Sequence, residues 1–97
     1  MTIFLKKFGT NLNSRQLGRE ALAAFTPSLK SVKDSEKVIV DFEGVMVFTP
    51  SWGDEFLTPL LDKFGKRLIL KSTENLSVQA TLKLLEKIHK VNFIEEK

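Results

Sequence analysis

Four carboxylates and a few hydroxyls near the middle of the chain are the residues best equipped for chemistry. Asp41 and Glu43 precede Gly44, and Asp54 and Glu55 follow a little further on. Hard cations such as magnesium favour carboxylate oxygens, which makes these four the set to weigh as a metal site. Their ordinary roles account for them better. Asp41 and Glu43 suit a strand-end turn that bonds nearby N–H groups, and Asp54 and Glu55 suit the positive end of a helix dipole. No metal site is expected. Thr49 and Ser51 carry hydroxyls, but one of them is expected to cap a helix. A serine nucleophile also needs a base within reach. The single histidine, His89, falls late in the last helix, as a surface or partly buried residue near the negative end of the dipole, with nothing to bring it to Ser51. The absence of cysteine excludes thiolate catalysis, a disulfide framework and Cys-ligated zinc. The chain is expected not to be an enzyme and to need no cofactor.

The elements that must position these residues follow from periodicity and breakers. Thr2 to Phe8 reads as a strand, and residues 9–14 as a turn rich in side chains that bond locally to backbone. Asn13 or Ser14 caps a helix whose apolar face is Leu17, Ala21, Ala24 and Phe25. Gly18 beside that face lets the helix approach a sheet, and Pro27 closes the helix near Thr26. Ser28 to Glu36 is a polar, mobile loop. Lys37 to Phe42 forms the central strand, its run Val38-Ile39-Val40 fitting burial on both faces as in a parallel sheet. Met46 to Phe48 is a short extended piece.

A second helix starts at Thr49, Pro50 or Ser51 and buries Phe56, Leu57, Leu60, Leu61 and Phe64. Pro59 predicts a kink there or two short helices, and Gly65 ends the segment. Arg67 to Lys71 is a third strand. Ser72 to Asn75 turn into a last helix, Leu76 to about Lys90, with Val78, Leu82, Leu84, Leu85 and Ile88 as its apolar arc. Val91 to Lys97 is a tail in which Phe93 and Ile94 tuck in and Glu95, Glu96 and Lys97 stay solvated.

This alternation predicts an α/β fold, three main parallel strands alternating with three helices through right-handed crossovers. Such a fold gathers the strand C-termini and helix N-termini on one edge, where ligands and partners bind. Residues 10–15, 49–55 and 72–75 should therefore converge. On that edge Ser51 is an accessible hydroxyl for phosphorylation, which would add nearly two negative charges beside Asp54 and Glu55. Trp52 is either a lid over the core or an exposed anchor of the kind interfaces favour.

Ninety-seven residues with 42% apolar content and eight Phe allow one domain with one packed core. The net charge of +3 is spread from Lys6 to Lys97 with no dense basic cluster, so nucleic acid is not an expected partner. No apolar run reaches the ~20 residues of a membrane span. Met1 to Lys7 is short and wrongly ordered for a signal peptide. A cytoplasmic setting is expected.

Two resemblances bear on function. Asp41-Phe42-Glu43-Gly44-Val45 is similar to the Asp-x-Asp-Gly-Thr/Val signature of haloacid-dehalogenase-like phosphatases, and Ser72 would match their second motif. The likeness stops there: Glu43 replaces the general acid Asp, and no metal-binding carboxylate pair follows Ser72. The run Val38 to Val45, followed by Thr49-Pro50-Ser51-Trp52-Gly53-Asp54-Glu55-Phe56, resembles the STAS domains, among them the bacterial anti-sigma factor antagonists. It is closer still to a small prokaryotic STAS-like family of unassigned activity, through Ser14-Arg15 and the Ser51-Trp52-Gly53-Asp54-Glu55 motif. The likeness covers roughly residues 9 to 90.

This second resemblance implies a β-α superhelix without catalysis. It also implies a regulatory, protein-binding role towards a histidine-kinase-like ATPase or serine kinase, through Ser14, Arg15, Thr49, Ser51, Trp52, Asp54 and Glu55. Ser51 aligns with the phosphorylated serine of the antagonists' Asp-Ser-Ser-Gly, although Thr49, Pro50 and Trp52 replace its other residues. The chain has one strand and one helix fewer than a full STAS domain, which implies a homodimer or a required partner. The alternative is a small nucleotide- or phosphate-binding module using the same helix N-termini. It lacks a Gly-rich loop followed by Lys-Ser or Lys-Thr.

Overall fold

The computed structural model describes residues 1–96. In chain order they form β1 (Thr2–Phe4), β2 (Asn11–Leu12), α1 (Arg15–Leu29), β3 (Val38–Asp41), β4 (Val47–Phe48), α2 (Pro50–Phe64), β5 (Leu68–Lys71), α3 (Leu76–His89) and β6 (Ile94–Glu96), with 3-10 turns at Leu5–Phe8 and Gly65–Arg67. β1, β3, β5 and β6 make one parallel sheet in that order, and β2 and β4 make a separate parallel ribbon. The expected α/β alternation is present.

Each helix starts at a side-chain cap. Ser14 accepts from Leu17 N–H, Thr49 from Trp52 N–H and Asn75 from Val78 N–H, each satisfying an N–H left over at a helix start. One core unites the layers. Ile3, Val38, Val40, Leu68 and Leu70 of the sheet meet Ala21, Phe25 and Leu29 of α1, Trp52, Phe56, Leu57 and Leu60 of α2, and Val78, Leu82 and Leu85 of α3.

The structure corrects several expectations. The first strand is only three residues long: Leu5 keeps the inward place that alternation from Ile3 gives it, but the chain there passes into a 3-10 turn. α1 runs past Pro27 to Leu29. Burial of Leu29 continues the apolar stripe, and the carbonyl that Pro27 frees belongs to exposed Ala23, where water can satisfy it. The buried face of α1 is Gly18, Ala21, Phe25 and Leu29, rotated from the expected one, which leaves Leu17 and Ala24 outside. α3 likewise buries Val78, Thr81, Leu82 and Leu85 and leaves Leu84 and Ile88 exposed.

α2 is one helix through Pro59. Ile39 is only partly buried, so β3 is not enclosed on both faces. The tail supplies a fourth strand, β6: Phe93 tucks in, Ile94 does not, and Glu95 and Glu96 are exposed on an edge, where charges discourage further pairing. Lys97 lies outside the described residues.

Gly18 decides how closely α1 and α2 lie. A methyl group at this position would stand 2.7 Å from the Trp52 carbonyl oxygen and 3.1 Å from Trp52 Cα. The glycine therefore serves a helix–helix contact instead of a helix–sheet one. Gly18→Ala is expected to destabilise the fold by a net ~1–2 kcal/mol in urea unfolding, since overpacking outweighs the better helix propensity of alanine. A more stable Ala variant would show that the two helices are not in contact there.

Candidate functional site

The β2–β4 ribbon draws the three helix starts to one rim. Thr49 N–H donates to Leu12 C=O at 3.0 Å, and Met46 and Val47 N–H both donate to Thr10 C=O, so the lead-in to α2 lies against the lead-in to α1. On the other side the Phe48 N–H donates to Ser77 Oγ, while Ser77 and Thr81 hydroxyls donate to the Phe48 carbonyl. Asn75 Nδ2 donates to the carbonyls of Val45 and Met46, closing the third side. Arg15, the first turn of α2 and the start of α3 thus converge.

The outer surface of that rim is laced by charge. Arg15 reaches Asp54 at 3.2 Å and Glu55 at 3.3 Å, and Arg19, one turn on, reaches Glu55 at 3.2 Å. Asp54 Oδ1 also accepts from Thr58 at 2.9 Å and lies 2.7 Å from His89 Nε2 at the end of α3. Partial burial pushes the Asp54 carboxyl up, but hydrogen bonds from His89, Thr58 and Arg15 together outweigh it and hold the group below its ordinary value. The bonds to Asp54 and then to Glu55 raise the Arg15 guanidinium above its own. One carboxylate therefore ties all three helices together.

Trp52 is the lid, not an exposed anchor. It is 1% exposed, stacks on Phe56 with ring centroids 4.9 Å apart, and meets Phe48 edge-on. This takes it off the directly accessible partner surface, because its ring closes the core beneath the first turn of α2. It reaches the outside only as a wall of a 340 Å³ cleft between the 3-10 turn and α1, whose lining includes Leu17, Phe8 and Leu12. Thr49 and Ser14 are occupied as caps. Ser51 is partly exposed and its hydroxyl has no hydrogen-bond partner among the described residues.

Asp41 stands apart from this network, its Oδ1 accepting from Glu43 N–H and its Oδ2 4.0 Å from Lys71 Nζ. Among the described residues no three acidic or histidine side chains group so as to hold a metal ion. Arg19, Leu17 and His89 are the rim residues that the motifs miss. Arg19 follows Arg15 at helical i, i+4 spacing and was findable from that; nothing in the sequence marks His89.

The model of the STAS-like domain of unknown function (DUF4325) matches residues 27–78, more than half of the chain. The chain belongs to that family. Neither the curated proteins nor the solved structures include a match. The matched segment of the STAS-like domain runs from the last turn of α1 to the first turn of α3. It contains Ser51 to Glu55 and leaves Ser14 and Arg15 outside, a narrower span than residues 9 to 90. No helix among the described residues is long and apolar enough to cross a membrane.

The lowered Asp54 carboxyl fixes the sign of an acid effect. A depressed folded-state pKa contributes stability that is complete above the unfolded value, ordinarily 3.8, and is lost as pH falls through the folded one. In urea unfolding at a series of pH values, wild type is expected to exceed Asp54→Asn in stability above about pH 5, and the gap to close as pH drops below 4. A gap independent of pH would show that the Asp54 bonds do not form in solution.

Proposed function

We propose that this STAS-like domain is a non-catalytic, cytoplasmic interaction module that binds a protein partner through the rim at residues 49–55 and its flank on α1. The observation that supports this most directly is the division of labour among the rim hydroxyls. Ser14 and Thr49 cap helices, whereas Ser51, one residue inside α2, is left over and partly exposed. Leu17 on α1 is 52% exposed and lines, with Phe8, Leu12, Asn11 and Glu20, the mixed apolar and polar cleft walled by Trp52, a place for a partner side chain. The partner class implied by the family resemblance is a histidine-kinase-like ATPase or a serine kinase.

Phosphorylation of Ser51 is the switch in this proposal. The new charge would sit at the positive end of the α2 dipole, and a phosphoryl group is a stronger ligand for guanidinium than a carboxylate. It would compete with Asp54 and Glu55 for Arg15, so Arg15 would re-pair along α2 and the two carboxylates would be released at the surface while the core stays packed. The domain would then change its surface without refolding.

Pull-downs from host lysate with wild type, Ser51→Asp and Leu17→Glu test this, with phosphopeptide mass spectrometry of the recovered domain. Wild type is expected to recover a kinase-class protein that both variants lose by about tenfold or more, the size of one disrupted hot spot. The phosphate is expected on Ser51. Identical recoveries from all three proteins would remove the rim as the binding surface, and phosphate elsewhere would remove the switch.

A further inference from the structure

Side chains alternate across the sheet, and the core, with all three helices, lies on the face of Ile3, Val38, Val40, Leu68 and Leu70. The opposite face carries a different set. Thr2, Ile39, Ile69 and Ile94 stand in one cross-strand row. Phe4 and Asp41 pair in the next row, as do Lys71 and Glu96, and Asp41 meets Lys71 across the centre. Phe4, Ile39, Ile69 and Ile94 all lie outside the core cluster; Phe4 and Ile94 at the outer strands are 46% and 42% exposed and Ile39 is partly exposed, whereas Ile69 and Asp41 at the centre are already buried within one chain. All-parallel sheets occur almost only where both faces are covered. Here the helices cover one.

We propose that a second copy of this chain covers the other, face to face about a two-fold axis running along the strands between β3 and β5. The pattern of the face is self-complementary in that arrangement. Turning the order β1-β3-β5-β6 about the axis lays β3 over β5 of the second copy and β1 over its β6. The apolar row then falls on itself, Ile39 against Ile69 and Ile69 against Ile39. In the next row Asp41 meets the second copy's Lys71, and Lys71 its Asp41, so opposite charges meet twice. Glu96 comes over Phe4 at the corners of the sheet, where water still reaches the carboxylate.

A two-fold axis running across the strands does worse. It sets Asp41 on Asp41 and Lys71 on Lys71, lays the charged row on the apolar one, or carries the charged row off the face. The exposed outer stripe of α3, Leu76, Leu84 and Ile88, is a poorer surface for a second copy. Lys83 and Lys87 flank it, and an antiparallel pair would bring those cations together.

Sedimentation equilibrium of the whole chain from about 10 to 500 µM, a range suited to an interface smaller than the standard size, tests the arrangement. The weight-average mass is expected to rise towards two chains. Ile94→Lys and Phe4→Glu, both at exposed positions, are expected to weaken association at least tenfold while far-UV circular dichroism and thermal midpoint hold. Leu84→Glu is expected to leave it unchanged. Lys71→Glu alone should lose self-association, and mixing it with Asp41→Asn should restore a mixed dimer, because one Asp41–Lys71 contact returns. A single-chain mass throughout, association that survives Ile94→Lys and Phe4→Glu, or loss on Leu84→Glu would each overturn the proposal.

Discussion

The peptide group of Phe48 is the constraint on which the arrangement depends. β4 is two residues long and pairs with β2 on one side only, so the N–H and C=O of buried Phe48 point away from any strand. Left unpaired, each would cost about 1–3 kcal/mol. Ser77 and Thr81 satisfy both from the first turns of α3. That requirement fixes where α3 begins relative to α2. β2 fixes α1 by the same means on the other side, through Thr10 and Leu12. The rim is therefore held by buried polar pairing, which is specific in register, as well as by apolar contact, which is not.

Surface charge then works within a geometry that is already set. Exposed ion pairs are each worth only ~0–1 kcal/mol, so the Arg15, Arg19, Asp54 and Glu55 contacts are not what holds α1 on α2. The aromatic stack of Trp52 on Phe56, with Phe8 and Phe25 beside it, and the close approach at Gly18 do that. A network of small energy over a firm core suits a surface meant to change. Breaking it exposes the Asp54 and Glu55 carboxylates and leaves the apolar core packed.

Much of this was legible in the sequence, and the misses share a cause. The short apolar runs Val38-Ile39-Val40 and Leu68-Ile69-Leu70, the Thr49-Pro50 start and the Gly65 stop are local signals, and each element appears where its signal lies. The errors occur where tertiary burial decides. Ile3, Phe4 and Leu5 suit a strand by type, yet Leu5 packs inward from a 3-10 turn. Leu17 suits a core face, yet Gly18 must face Trp52, and that turns Leu17 outward. β6 had no alternation to read, since Ile94, Glu95 and Glu96 are all exposed. At the site, the caps and the acidic first turn of α2 were visible. The Asp54–His89 contact was not, because it depends on how the end of α3 crosses α2.

The rim and the uncovered sheet face are separate surfaces, and their relation follows from the direction of the strands. The rim stands at the C-terminal ends of β1, β3 and β5, while the open face looks sideways from the sheet. A two-fold axis along the strands keeps every strand of both copies pointing the same way. Both rims would then lie at one end of the pair, each with its own Ser51 and its own cleft beside Leu17. A partner that is itself two-fold could engage both at once. The second contact would form at the high effective concentration of an intramolecular step, so a weak single-rim affinity would be enough for tight capture. Covering the sheet and presenting the rim would thus be two consequences of one parallel topology.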